Sequence, residues 1–219
     1  TSTGGQSQTG TMTVPRMIAS MVALVVTAFA VELGAQAISN VRVERLLTAP
    51  IIAPGIHPSV GENIQGPSVI KVPDWINDPL GEYYLYFADH KGLYIRLAYA
   101  DDLLGPWKIH APGSLQIRDS YFLAEPPAVS SDVAARLRAS QERRGVPMSH
   151  DGLFEATTPH IASPDVHVDH VNERVIMYFH GLDDVSTQVS RVATSSDGIH
   201  FEARPERLGR TYMRILNHD

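Results

Sequence analysis

Cysteine is absent from the chain, which excludes a disulfide scaffold, a thiolate nucleophile, a cysteine-ligated zinc site and a lipoprotein anchor. Positive charge is in short supply. The 18 Lys and Arg stand against 24 Asp and Glu, giving a formal net charge of -6. A general nucleic-acid binder needs a basic face to neutralise phosphates, so that class is set aside. The glycine-rich phosphate loop and the G-x-S-x-G nucleophile elbow are also missing. What remains is an ordinary globular composition, 43% hydrophobic and 19% charged over 219 residues, enough for a sizeable core. Fifteen prolines and sixteen glycines imply many turns and favour a β-rich fold.

One long apolar run is present, at residues 17–31. Arg16 precedes it, Glu32 closes it, and Ala35-Gln36-Ala37 follows. A basic start, an apolar stretch and an A-x-A site describe a secretory signal peptide. The run is short for a membrane-spanning helix, which needs about 20 residues. Residues 1–37 are therefore read as upstream sequence and leader, cleaved after Ala37, with no membrane attachment afterwards. Export without cysteine suits a secreted or periplasmic bacterial protein.

The remainder, 38–219, contains an internal repeat. Gly66-Pro67-Ser68-Val69-Ile70 is matched by Ser163-Pro164-Asp165-Val166-His167, and Tyr83-Tyr84-Leu85-Tyr86-Phe87 by Val175-Ile176-Met177-Tyr178-Phe179. Ile95-Arg96-Leu97-Ala98 is matched by Ser190-Arg191-Val192-Ala193, and Gly105-Pro106-Trp107 by Gly198-Ile199-His200-Phe201. Each copy has four short segments rich in aromatic and β-branched residues, separated by turn residues. Four antiparallel strands per repeat predict a propeller blade. The blades are expected at about 63–110 and 160–205, with the start of another at 211–219. Between them, 111–159 does not repeat; Ser131-Asp132 predicts one short helix there, ending near Gly145.

These stretches resemble the five-bladed β-propeller glycosidases, the group of arabinanases, xylosidases, levansucrases and invertases, and glycoside hydrolase family 43 most of all. The residues carrying the resemblance are Asn63 to Ile70 running into His90, Arg96 to Asp101 with Gly105-Pro106-Trp107, and His160 to Asp169. The resemblance implies an all-β, five-bladed propeller acting as an exported glycoside hydrolase on poly- or oligosaccharides. Five such blades need about 300 residues or more, so two blades and a beginning describe a fragment.

Glycoside hydrolysis usually employs two carboxyl groups flanking the scissile bond. The resemblance places them near the prolines of inner strands, where this chain has Gly66 and Ser163, and Gln65-Gly66-Pro67 stands where the family has Glu-Gly-Pro. An amide cannot donate the proton. A non-catalytic carbohydrate-binding propeller is thus the alternative, and a structural propeller without a sugar role is a third. The proton donor is then expected in blades beyond this sequence or among Asp119, Glu125 and Glu155 of the insertion.

Asp165, His167 and Asp169 alternate with apolar residues, so a strand puts all three on one face. Asp165 is the candidate catalytic carboxylate; the competing reading is a structural hydrogen bond to a neighbouring blade's backbone. Propeller geometry brings the turn after each second strand towards the inner strands. Gln65, Asp89, His90, His160, His167 and His180 are accordingly the candidate substrate contacts, with His90 and His180 expected in register. Arg96 and Arg191 recur in register too, as buried ion-pair residues. No cofactor is required. A divalent ion at His160, Asp165, His167, Asp169 and His170 is the rival reading. Trp75, Tyr83, Tyr84 and Trp107 suit either sugar stacking or core.

Overall fold

The computed structural model describes residues 1, 42–144 and 151–216, so the expected leader and Gly145 lie outside the described residues. A compact unit spans Leu46–Asp219. It is mostly β. One antiparallel sheet has the order β1 (Ile64–Lys71), β2 (Tyr83–Asp89), β3 (Tyr94–Ala100), β4 (Lys108–Gln116). The second has the order β5 (Ile161–Asp169), β6 (Arg174–Asp184), β7 (Thr187–Ser195), β8 (Glu202–Ala203), and β9 (Gly209–Arg210) also pairs with β7. The first three strands of each sheet fall where the repeat predicts them, whereas the fourth predicted segments, 105–107 and 198–201, precede β4 and β8 instead of forming them. One boundary shifts, because β4 runs six residues into the expected insertion, to Gln116.

The insertion holds more helix than expected. Helix α1 (Ser131–Arg144) has 14 residues, with Ser130 Oγ accepting from Val133 N at 3.3 Å. A second helix, α2 (Gly152–Thr157), is capped by Asp151, whose carboxylate accepts from Phe154 N at 2.8 Å. Asp151 is the kind of N-cap acceptor that starts a helix in a chain with little helical periodicity.

The register of the two sheets is the same. Phe87 pairs with Arg96 and Phe179 with Arg191; Tyr86 pairs with Leu97 and Tyr178 with Val192. Strands β1 and β5 each carry a register shift around a proline, between Gln65 and Ser68 and between Ala162 and Asp165. The residue before each proline has positive φ, +60° at Gly66 and +52° at Ser163. Gly66 has a second reason to lack a side chain: a Cβ there would sit 2.6 Å from Ser163 Cα.

Strand alternation decides what each face buries. In the first sheet Leu85, Phe87 and Ala98 face a small core with Val60. Tyr84, Tyr86 and Leu97 face the main core, where they meet Met177, Phe179 and Ala193 of the second sheet. By register, Met177, Phe179 and Ala193 are the counterparts of Leu85, Phe87 and Ala98. The sheets therefore stack front to back. The remaining face of the second sheet, bearing Ile176, Tyr178 and Val192, is only half-buried. Burial of Tyr84, Tyr86, Phe87 and Phe179 settles the aromatic question for this core: Tyr84 is packing, and Trp75 and Trp107 pack against the two cores as well.

Candidate functional site

The turn after β2, the loop entering β5 and the middle of β6 converge. His160 and His180 are each 3% exposed, and their rings meet edge to face at 6.1 Å. His160 Nδ1–H donates to the Thr158 carbonyl at 2.9 Å, and the Gln188 side chain also hydrogen-bonds the ring. Burial holds the His160 pKa below the usual imidazole value, with Lys91 and His90 adding to the effect. Burial likewise lowers His180 to about 4, reinforced by His160, Arg214 and Lys91. His180 Nδ1 is buried and finds no hydrogen-bond partner among the described residues. The Tyr212 ring lies 4.6 Å from the His180 ring.

Lys91 supplies the cluster's cation. Its turn conformation is left-handed, with φ +61°, and its Nζ lies 3.1 Å from Glu155 Oε2 while donating to the Glu155 carbonyl at 3.2 Å. Both side chains are largely buried. Glu155 and Gln188 line a cavity of about 210 Å³ that runs under Leu137 and Gly152 of the two helices. His160 and His180 are in ring contact and His90 is near enough to act on His160 electrostatically, although His90 and His180 are not equivalent positions. The register makes Ala88 the counterpart of His180, since Phe87 matches Phe179. His90 lies beyond β2, in the turn, where its backbone N donates to Asn63 O at 2.9 Å.

Asp165 and His167 lie on the same face of the second sheet as His180, further along the pairing, Asp165 opposite Tyr178 and His167 opposite Ile176. Alternation along β5 does place Asp165, His167 and Asp169 opposite Val166, which is buried, and Val168, which packs on the core. Asp165 Oδ2 accepts from Ile215 N at 2.8 Å. Ser68, its counterpart in the first sheet, accepts from Val166 N at 2.9 Å. The same strut recurs, which is the structural reading of Asp165. His167 Nε2 lies 3.1 Å from Asp165 Oδ2 but outside hydrogen-bonding alignment. Asp169 is committed to Asn172 and Arg174, both at 2.8 Å.

Asp89 is also structural. Its Oδ1 accepts from Asn63 N at 2.8 Å, its Oδ2 lies 3.8 Å from Arg96 Nη2, and a Cβ on Gly61 would sit 2.4 Å from its Cγ. Arg96 and Arg191 are buried ion-pair residues of their own sheets, Arg191 meeting Asp183 at 2.6 Å. Gln65 is half-buried in β1 opposite Ala88. Among the described residues no group of three or more His, Asp or Glu is placed to hold a metal ion, and no helix is long and apolar enough to cross a membrane.

Lys91, Gln188 and Tyr212 were not among the sequence candidates. Lys91-Gly92 reads as a plain turn, Tyr212 as part of a blade start and Gln188 as no motif; only the tertiary arrangement brings them to the histidines. Glu155 was visible only as one of three acids of the insertion considered as a proton donor.

No family model matches the chain. An uncharacterized protein, R118, of Acanthamoeba polyphaga mimivirus is 36% identical over 167 residues, taking in 72% of this chain. The chain spans 40% of the length of that relative. A viral relative does not support the bacterial origin expected from the apparent leader.

Proposed function

We propose that this chain is part of a propeller-type carbohydrate-active protein whose His160–His180–Lys91–Glu155 cluster contacts sugar. Front-to-back stacking supports the propeller. Such packing is heterologous, so each sheet leaves an open face for the next copy, and a ring is the closed solution. Tyr212 (φ +59°) precedes Ile215 by three residues, as Ser163 (φ +52°) precedes Val166. Residues 211–215 therefore read as the beginning of a third inner strand.

The observation that carries the sugar reading is the buried, unpartnered Nδ1 of His180 beneath an aromatic ring. A buried polar atom is normally paired, and a hydroxylated ligand beside it supplies both donor and acceptor. The neighbouring cation, carboxylate and amide complete a set suited to hydroxyls. Glycan binding is the first reading, because Gln65 is an amide and Asp165 is occupied by a backbone N–H. Glycoside hydrolysis is the second, favoured by Glu155, whose largely buried carboxylate sits beside Lys91. In that reading Glu155 takes the general acid or base role, while a second carboxylate has no candidate in this cluster.

The test titrates arabinan-, xylan- and fructan-derived tetrasaccharides against the protein and its Tyr212→Ala variant, with hydrolysis assayed alongside in Glu155→Gln. Saturable binding that weakens at least about tenfold in Tyr212→Ala supports the sugar reading. Turnover that drops at least about a hundredfold in Glu155→Gln moves the protein to the hydrolases. No binding to any glycan sinks both.

A further inference from the structure

A second cleft, of about 890 Å³, opens between the end of β4 and the segment entering β8, and its lining includes none of His160, His180, Lys91 and Glu155. That size suits a small organic ligand. Its floor is apolar, formed by Leu115, Ile199 and Phe201, and Phe201 N donates to Ser114 O at 3.2 Å to fix the two edges together. On one wall Tyr121 is 58% exposed with φ +63°. A bulky residue held left-handed stores strain, which persists only where its surroundings determine it. They do so here. Ser120 is fully buried with its Oγ donating to Ile117 O at 2.6 Å, and Phe122 is locked edge to face on Phe179 at 5.7 Å. The strained backbone keeps an aromatic ring in solvent at the rim of a cleft.

The opposite wall carries His200, whose Nδ1 pairs with Asp197 Oδ2 at 2.8 Å. Asp197 is itself fixed by the backbone N–H groups of Ile199 and His200, both at 2.8 Å. With Nδ1 committed as a donor to a carboxylate, His200 Nε2 is the ring's remaining acceptor. Arg118, Asp119 and Glu202 line the same space.

We infer that this cleft is a binding site for a neutral oligosaccharide, separate from the histidine cluster. It rests on the carbohydrate reading of the protein. Charges of both signs disfavour a polyanion. A strand-adding peptide is disfavoured too, since Pro112 offers no N–H and its carbonyl is taken by Gln116 Nε2 at 2.7 Å. A sugar fits what is left: its C–H face lies on the Tyr121 ring and its hydroxyls meet His200, Asp119 and Glu202.

Calorimetric titration with xylotetraose, arabinotetraose and cellotetraose tests the inference on the wild type, Tyr121→Gly, His200→Ala and Tyr212→Ala. Tyr121→Gly removes the ring while relieving the left-handed strain, so it keeps the fold, and His200 is exposed. The cleft predicts a binding event weakened at least about tenfold by Tyr121→Gly and about threefold by His200→Ala, yet unchanged by Tyr212→Ala. Binding lost only in Tyr212→Ala overturns the cleft and leaves the histidine cluster standing. Binding lost only in the Tyr121 and His200 variants does the reverse. Absence of binding in the wild type overturns both.

Discussion

The first sheet and the second share a backbone and differ in what hangs on it. Both turn their inner strand through a left-handed residue before a proline, and both bury an arginine opposite a phenylalanine. In both, the side chain two residues after that left-handed position accepts a distant backbone N–H, Ser68 from Val166 and Asp165 from Ile215. Yet Ala88 in one is His180 in the other. The shared positions carry the repeat, and the exceptions are where the two sheets differ in polar character.

Matched substitutions break or sharpen that comparison. Phe179→Ala removes a 2% exposed ring from the core between the sheets, and Phe87→Ala removes its fully buried counterpart from the small core. Each is expected to cost about 3–5 kcal/mol in denaturant unfolding. A Phe87→Ala cost below about 1 kcal/mol would show that the small core is dispensable and the two faces are not equivalent.

His180→Ala gives the second sheet the residue of the first. In the native protein His180 titrates at about 4, below the ordinary imidazole value of 6.5, because it is buried beside His160, Arg214 and Lys91. The unfolded chain then binds more protons between those values, so stability falls as pH drops from 6.5 towards 4. The loss amounts to about 3 kcal/mol for that one group. Unfolding measured from pH 7 to 4 should be less steeply pH-dependent in the variant; an unchanged slope would place the titration elsewhere.

Gly66→Ala and Ser163→Gly exchange the character of the pre-proline positions. Alanine at 66 meets both a positive φ and Ser163 Cα, and should cost about 2–3 kcal/mol. Glycine at 163 relieves the left-handed backbone and should raise stability by up to about 1 kcal/mol. Thermal melts of both variants check the opposite signs.

Asp165→Asn is the smallest change. An amide oxygen still accepts from Ile215 N, so stability should move by less than about 0.5 kcal/mol. Amide exchange at Ile215 should stay slow in Asp165→Asn and quicken in Asp165→Ala. Equal exchange in both variants would remove the strut that makes Asp165 the counterpart of Ser68.

Much of the fold was legible because it is written in local chemistry. The repeated aromatic and β-branched segments predicted β2, β3, β6 and β7 in their observed places, since alternation and turn residues act over a few positions. Arg96 and Arg191 were legible for the same reason. The extra helix α2 was not, because its six residues rest on the Asp151 cap rather than on periodicity. The register of His90 against His180 was misread because both end a similar segment, whereas pairing counts from Phe87 and Phe179. One residue of error in a strand changes the face a side chain occupies, and two change its neighbour.

The candidate site divides along the same line. Sequence by itself determined the strand alternation that puts Asp165, His167 and Asp169 on one face and the repeat that pairs Ser68 with Asp165. It also set the absence of cysteine chemistry and the excess of acidic over basic residues. Tertiary structure alone decided that Lys91, Glu155, Gln188 and Tyr212 surround two buried histidines, and that Asp165 faces a backbone N–H. Side-chain burial and hydrogen-bond partners belong to contacts between residues far apart in the chain, 64 positions for Lys91 and Glu155. No local pattern encodes such a contact; only the stacking of one sheet on the next brings the groups together.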